Sequence, residues 1–240
     1  MKTLGLIGGT SWHSTIEYYK YINQEVNDFF GDNTNPPLLL YTLNQSAIHK
    51  YQIENNWEAI AELILKAANS LIAAGADQLI LCANTPHKVY PIVLQKINIP
   101  ILHIADATAE AINKMNINKV CFLGTKYTMT EPFVTDRIAD HNIDVLLPET
   151  EKQINELHRI IQQELTYGKI IEESKTYVLD VIQSLVELGA EGVVLGCTEF
   201  PLMIDASDLK IPIFNTTLIH AKAGTQFILQ DYWYLRMLVN

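Results

Sequence analysis

AGADQLILC (residues 74–82) and LGAEGVVLGC (residues 188–197) are two copies of one pattern, in which a Gly-Ala-acidic turn precedes a short apolar run and a cysteine. The same two motifs flank each copy. LIGGT (residues 6–10) precedes the first copy and FLGT (residues 122–125) precedes the second, while an Ile-Pro pair follows each cysteine. A second threonine follows the first by five positions in both copies, at Thr15 and Thr130, and these four motifs in the same order indicate an internal duplication.

The spacing within the two copies supports the duplication. Gly9 and Cys82 are 73 residues apart, and so are Gly124 and Cys197. The sequence therefore predicts two homologous halves, related by an approximate two-fold axis, with one cysteine in the equivalent position of each.

The apolar runs are short, do not alternate with polar residues, and are separated by segments with helical periodicity. Runs of this kind are typical of parallel strands that helices cover on both faces. The predicted class is α/β, with a parallel sheet in each half. The predicted domains are residues 1–100 plus 211–240 and residues 101–210.

The composition disfavours two classes of binding partner, nucleic acids and membranes. The net charge of −10 disfavours a nucleic-acid partner, because an acidic surface repels phosphate backbones. No apolar stretch reaches the roughly 18 residues of a membrane span, and the N-terminal segment does not resemble a signal peptide. We expect a cytoplasmic protein without a membrane partner.

Three cysteines are too few for a disulfide framework, and neither a Cys-x-x-Cys pair nor a paired-histidine pattern indicates a metal site. Cys121 lies inside a predicted strand and is interpreted as a small buried hydrophobic residue. Cys82 and Cys197 instead lie at strand ends and precede polar residues, so they are the candidate reactive thiols.

Ligands of open parallel sheets bind beyond the carboxyl ends of the strands. Polar residues follow both cysteines at predicted helix starts: Asn84 and Thr85 after Cys82, and Thr198 after Cys197. A helix N-terminus is a favourable site for a carboxylate and lowers the pKa of a nearby thiol. If both thiols reach one substrate from opposite faces, one removes a proton and the other delivers one. This chemistry inverts a carbon centre and requires no cofactor. We expect the two sulfurs about 7–8 Å apart.

Three stretches, IGGTSW (residues 7–12), CANTPH (residues 82–87) and LGCTE (residues 195–199), resemble the aspartate/glutamate racemase family. The resemblance is greatest to its aspartate racemase branch, which includes broad-specificity relatives. It implies two Rossmann-like domains with a cleft between them, an amino-acid substrate, no pyridoxal phosphate and a homodimer.

The resemblance also assigns roles. Cys82 and Cys197 become the acid/base pair, and the residues that contact the substrate become Thr10, Ser11, Asn84, Thr85, Thr125, Thr198 and Glu199. A carboxylate on the side chain of the substrate would bind Lys169, and His49 or Lys50 is a further candidate for binding this carboxylate. The implied substrate is aspartate, with glutamate or a broader range as alternatives.

Other functions stay open at this point. A maleate isomerase or a malonate decarboxylase of the same superfold would use one or both cysteine positions. A catalytically silent amino-acid-binding relative is disfavoured by the intact cysteine pair. A redox protein with a Cys82–Cys197 disulfide is disfavoured because no resolving pair is adjacent.

Overall fold

Short parallel strands alternate with helices along residues 1–232, the part of the chain that the computed structural model describes. These elements form two four-stranded parallel sheets, each in its own compact unit. The α/β class and the parallel sheet in each half are confirmed. None of the helices in this part of the chain combines the length and the apolar composition that a membrane span requires.

The first unit contains a sheet with the strand order β2-β1-β3-β4. Its strands are β1 (Leu4–Gly8), β2 (Leu38–Thr42), β3 (Gln78–Leu81) and β4 (Ile101–Leu102). Its helices are α1 (Trp12–Phe30), α2 (Gln45–Ile53), α3 (Trp57–Ala73) and α4 (Tyr90–Leu94). All five residues of β1 are buried, as expected for a central strand covered on both faces.

The second unit repeats this arrangement with the strand order β6-β5-β7-β8. Its strands are β5 (Lys119–Gly124), β6 (Asp144–Leu146), β7 (Gly192–Gly196) and β8 (Ile213–Asn215). Its helices are α5 (Ile104–Lys114), α6 (Lys126–Thr130), α7 (Pro132–Ala139), α8 (Glu151–Gln163) and α9 (Glu172–Glu187), and α10 (Thr216–Ile228) follows β8. The duplication read from the sequence thus corresponds to two sheets with equivalent strand orders.

The unit borders lie after His103 and after Ile219, not after residues 100 and 210 as predicted. The difference has a physical reason: β4 pairs with β3 and β8 pairs with β7, so each fourth strand completes the sheet of its own half. The chain then changes unit. Helix α5 packs into the second core, whereas α10 from His220 onward packs on the first. The end of the predicted first domain, residues 233–240, lies outside the described residues.

Candidate active site

The loop after β1 depends on a glycine. Gly9 has φ +84°, and a Cβ atom there would lie 2.2 Å from the backbone oxygen of Leu43. The Gly9 N–H donates to Thr15 Oγ1 at 2.9 Å, which fixes the loop against α1. Thr10 follows, and its hydroxyl oxygen is buried with no hydrogen-bond partner in the described part of the chain. A buried hydroxyl without a partner is costly, so this atom is suited to a polar group of a ligand.

Cys82 directly follows β3, at the carboxyl edge where the Gly9 loop also lies. Its backbone N–H donates to the Ile7 carbonyl at 3.0 Å, and its carbonyl accepts from Ser14 Oγ at 2.6 Å. The residue is therefore held by both β1 and α1. Its side chain is only 1% exposed.

Asn84 and Thr85 are buried directly after Cys82, at the start of a five-residue 3₁₀ helix that ends at Val89. His87 lies within this short helix. Its Nδ1 is 2.9 Å from the Ala83 carbonyl, which can only accept, so Nδ1 carries the hydrogen. The buried His87 ring thus packs the turn after the cysteine.

Buried rings lie near Cys82 in the first unit. Tyr18 of α1 and His220 of α10 are fully buried, and the Tyr18 hydroxyl is 2.8 Å from His220 Nδ1. The His87 ring lies 5.8 Å from the His220 ring and 4.4 Å from the His103 ring. Burial, followed by the charge of His87, lowers the pKa of His220 to about 3, so this imidazole is neutral at physiological pH.

Cys197 directly follows β7, the strand of the second sheet that is equivalent to β3. Its thiol donates to Glu199 Oε2 at 2.8 Å, and the Thr198 hydroxyl donates to the same oxygen at 2.8 Å. Cys197 and Glu199 are both 5% exposed. Glu199 therefore points inward and contacts the cysteine.

Three further threonines lie at the carboxyl edge of the second sheet. Thr125 follows β5, and its hydroxyl caps α6 by accepting from the Thr128 N–H at 3.4 Å. At the junction of β8 and α10, Thr216 donates to the Leu195 carbonyl at 2.9 Å. The neighbouring Thr217 is 3% exposed, and its hydroxyl has no partner in the described residues. Thr217 thus provides the second unit with a buried hydroxyl that has no partner among the described residues, as Thr10 does in the first unit.

Both candidate thiols differ from the sequence-based expectation in their acidity. Burial raises the pKa of the Cys82 thiol. Burial and then the Glu199 carboxylate raise the pKa of Cys197. The expected lowering by a helix N-terminus is wrong, because each cysteine precedes only a short 3₁₀ turn of three to five residues and lies out of water.

Two of the basic residues considered for a substrate carboxylate, Lys50 and Lys169, lie at the surface of their units, whereas His49 is half-buried. Lys169 is exposed, and its ammonium group is 5.9 Å from the Tyr167 ring. The side chain of Lys50 is 71% exposed and pairs with Glu54. Within their own units, these contacts give no support to a role in binding substrate.

Two other residues have structural roles. Ser11 caps α1, its hydroxyl accepting from the Ser14 N–H at 3.5 Å, so that side chain already serves the helix. Cys121 is fully buried in the strand β5, and burial raises its pKa to about 12. This agrees with its interpretation as a small buried hydrophobic residue.

Across residues 1–232, no group of three or more His, Cys, Asp or Glu residues could hold a metal ion.

Thr217, Tyr18 and His220 were not predicted as part of either site. A signal existed for Thr217, because a Thr-Thr pair follows shortly after the apolar pair Ile213-Phe214, as polar residues follow both cysteines. Tyr18 and His220 are 202 residues apart in sequence, and no local pattern connects them.

Known proteins with the same fold include two that are also close in sequence. A proposed Asp/Glu racemase from Yersinia pestis is 41% identical with a TM-score of 0.89, covering 95% of this chain and all of that one. An aspartate racemase homologue from Pyrococcus horikoshii OT3 is 35% identical with a TM-score of 0.83, covering 95% of this chain and 99% of that one.

A more distant relative is the broad specificity amino-acid racemase RacX of Bacillus subtilis (strain 168). It is 21% identical over 224 residues, which cover 92% of this chain and 95% of RacX. The model of the Asp/Glu/hydantoin racemase family matches residues 7–224, a range that contains both cysteine loops and both Gly-Thr loops. With the duplicated parallel sheets, this match shows that the chain belongs to the Asp/Glu/hydantoin racemase family.

Proposed function

We propose that this protein is a cofactor-independent amino-acid racemase in which Cys82 and Cys197 act on opposite faces of one substrate. The observation that carries the proposal is the equivalence of the two half-sites. Each sheet has a buried cysteine directly after its third strand in spatial order, at the edge where ligands of parallel sheets bind. Membership of a racemase family supports the reaction type.

The proposed reaction is a balanced proton exchange. The thiolate of one cysteine takes the α-hydrogen as a proton, and the electron pair of the C–H bond moves toward the substrate carboxylate. The thiol of the other cysteine then delivers its proton to the opposite face of the α-carbon. The two cysteines have exchanged protonation states, and the reverse direction uses them in the opposite roles.

The burial of both thiols suits this chemistry. An α-hydrogen beside a carboxylate is a very weak acid, so the base that removes it must be strong. A thiol whose pKa is raised by burial gives a thiolate of high basicity, and a site from which water is excluded strengthens the electrostatic stabilisation of the developing charge.

The hydroxyl groups of Thr10 and Thr217 are proposed to bind the polar groups at the α-carbon. Each is a buried hydrogen-bonding atom without a partner among the described residues, one in each half-site. A substrate carboxylate or ammonium group would satisfy them. Further contacts are proposed for residues that follow β3, β5 and β7, namely Asn84, Thr85, Thr125 and Thr198.

For the substrate, we propose aspartate within a broader range of amino acids. The similarity to an aspartate racemase homologue supports aspartate. The surface positions of Lys50 and Lys169 and the similarity to a broad specificity racemase support the broader range. The homodimer and the cytoplasmic location stay predictions.

The direct test is circular dichroism on a panel of L- and D-amino acids with purified protein and no added cofactor. The proposal expects loss of optical activity for aspartate and for at least some neutral amino acids, and the same loss with Cys121→Ser. Maleate and a substituted malonate belong in the panel. Turnover of either one, with no racemisation of any amino acid, would assign the chain to another reaction.

A further inference from the structure

Helix α6 begins directly after Thr125, one of the residues proposed to contact the substrate. The first N–H groups of a helix have no carbonyl partner within that helix. The Thr125 hydroxyl caps one of them, the Thr128 N–H, at 3.4 Å. The first N–H of the helix, that of Lys126, is therefore left to bind a partner outside α6.

His158 of α8 is that partner. The Lys126 N–H donates to His158 Nδ1 at 3.3 Å. A backbone N–H can only donate, so Nδ1 has the lone pair and the hydrogen of this imidazole is on Nε2. The half-buried His158 ring also meets the Tyr127 ring edge to face, with centroids 6.0 Å apart. The imidazole is thus both hydrogen-bonded to α6 and packed against it.

A single peptide group connects this hydrogen bond to Thr125. The Lys126 N–H, the Thr125 carbonyl and the Cα atoms of both residues lie in one plane. The carbonyl oxygen accepts from the Thr128 hydroxyl at 2.9 Å and from the Met129 N–H at 3.1 Å. The peptide group is therefore held by α6 through its oxygen and by α8 through its hydrogen, which limits the direction of the Thr125 side chain.

The side chain of Lys126 contacts the same helix in a different way. Its ammonium group donates to Asn155 Oδ1 at 3.0 Å and lies 4.0 Å from a carboxylate oxygen of Glu151. These groups are exposed, and exposed contacts between charged side chains contribute little to stability. Of these three contacts from α8, the one from His158 is the one that acts on the backbone beside Thr125.

We propose that His158 is a positioning residue, which holds the Thr125–Lys126 peptide group so that Thr125 is oriented to bind the substrate. This rests on the proposed function, because Thr125 is one of the residues assigned there to the substrate. His158 acts through the peptide group, and the proposal gives it no contact with the substrate.

The first measurement is hydrogen exchange of the Lys126 amide, followed by NMR in full-length protein with isotope-labelled lysine and no substrate. His158→Phe keeps a ring and loses the acceptor, so this amide should exchange about five-fold faster, as expected for the loss of one net hydrogen bond. His158→Asn places an amide oxygen where Nδ1 lies and should restore slow exchange. Asn155→Ala, which removes only the contact to the Lys126 ammonium group, is the matched control and should leave the exchange unchanged.

The second measurement is the racemisation kinetics of the same variants, on an amino acid identified by the circular dichroism panel. His158→Phe should raise KM about five-fold and change kcat less than about two-fold, because a less ordered Thr125 weakens substrate binding. His158→Asn should return KM to its original value. Partial unfolding would instead reduce the amount of active enzyme, which lowers the apparent kcat and leaves KM unchanged.

The proposal is overturned if His158→Phe leaves the exchange of the Lys126 amide unchanged, or if exchange becomes faster while KM stays the same. If His158→Phe does not fold, His158→Leu and His158→Ala take its place, since neither has an acceptor. If the original protein racemises no amino acid, the proposed function fails and this proposal fails with it. The exchange data, which need no substrate, show separately whether the hydrogen bond to His158 forms.

Discussion

Replacing Glu199 by glutamine removes the negative charge that lies 2.8 Å from the Cys197 sulfur. Because a nearby carboxylate opposes formation of the thiolate, its removal should lower the Cys197 pKa. Two unit charges at this distance repel by about 1.5 kcal/mol in a water-like medium and about 6 kcal/mol at an effective dielectric constant of 20. The expected fall in pKa is therefore at least about one unit and at most about four.

The assay is the pH dependence of Cys197 alkylation by iodoacetamide, followed by peptide mass spectrometry. In Glu199→Gln the rise of the alkylation rate should move to lower pH by at least about one unit. The profile of Cys82 in the same samples should not move. Glu173→Gln, which neutralises an exposed glutamate of the same unit, should leave both profiles unchanged. A Cys197 profile that is unchanged, or that moves to higher pH, would refute the electrostatic reasoning.

Three further predictions concern the loop, the third cysteine and the geometry. Gly9→Ala should lower the free energy of unfolding by about 4 kcal/mol in urea titrations, because a Cβ atom there overlaps backbone atoms and φ is positive. Gly31→Ala, with positive φ but nothing within 4 Å, should cost only about 1 kcal/mol. Equal losses would contradict this. Cys121→Ser should keep racemase activity and lose about 1–2 kcal/mol of stability on denaturation, because it buries a hydroxyl group; loss of activity in a folded variant would be evidence against the assigned roles. A crystal structure with bound substrate should place the Cys82 and Cys197 sulfurs about 7–8 Å apart, and a separation above about 12 Å would exclude direct two-thiol transfer.

Much of the fold could be predicted from the sequence because its signals are local or repeated. The buried strand β1 and the amphipathic helices α1 and α3 follow from short apolar runs and helical periodicity. Helix α2 has no comparable signal in the sequence, since only Ile48 of its nine residues is buried and the apolar pattern is correspondingly weak.

The site could be predicted only in part. The repeat identified both cysteine loops, because equivalent positions in two copies select Cys82 and Cys197 over Cys121. The acidity of the thiols could not be predicted, since the pKa depends on how deeply each is buried and on whether Glu199 points inward. The Tyr18–His220 pair depends on a tertiary contact between α1 and α10.

The unit borders were misplaced for a related reason. The repeat locates equivalent motifs but does not show which sheet the strand after each Ile-Pro pair joins. Hydrogen bonding assigns β4 to the first sheet and β8 to the second, so the chain changes unit only after each of these strands.

The central claim is that Cys82 and Cys197 serve opposite faces of one substrate, and deuterium incorporation from solvent at the α-carbon tests it most directly. Each enantiomer of a racemised amino acid is incubated in D₂O with Cys82→Ser, Cys197→Ser or the control Cys121→Ser. Both single variants should lose racemisation, because a serine hydroxyl is a far weaker base than a thiolate. Each should still exchange the α-hydrogen of one enantiomer, and the two variants should favour opposite enantiomers, while Cys121→Ser exchanges both. Full racemisation by either the Cys82 or the Cys197 variant would contradict the account.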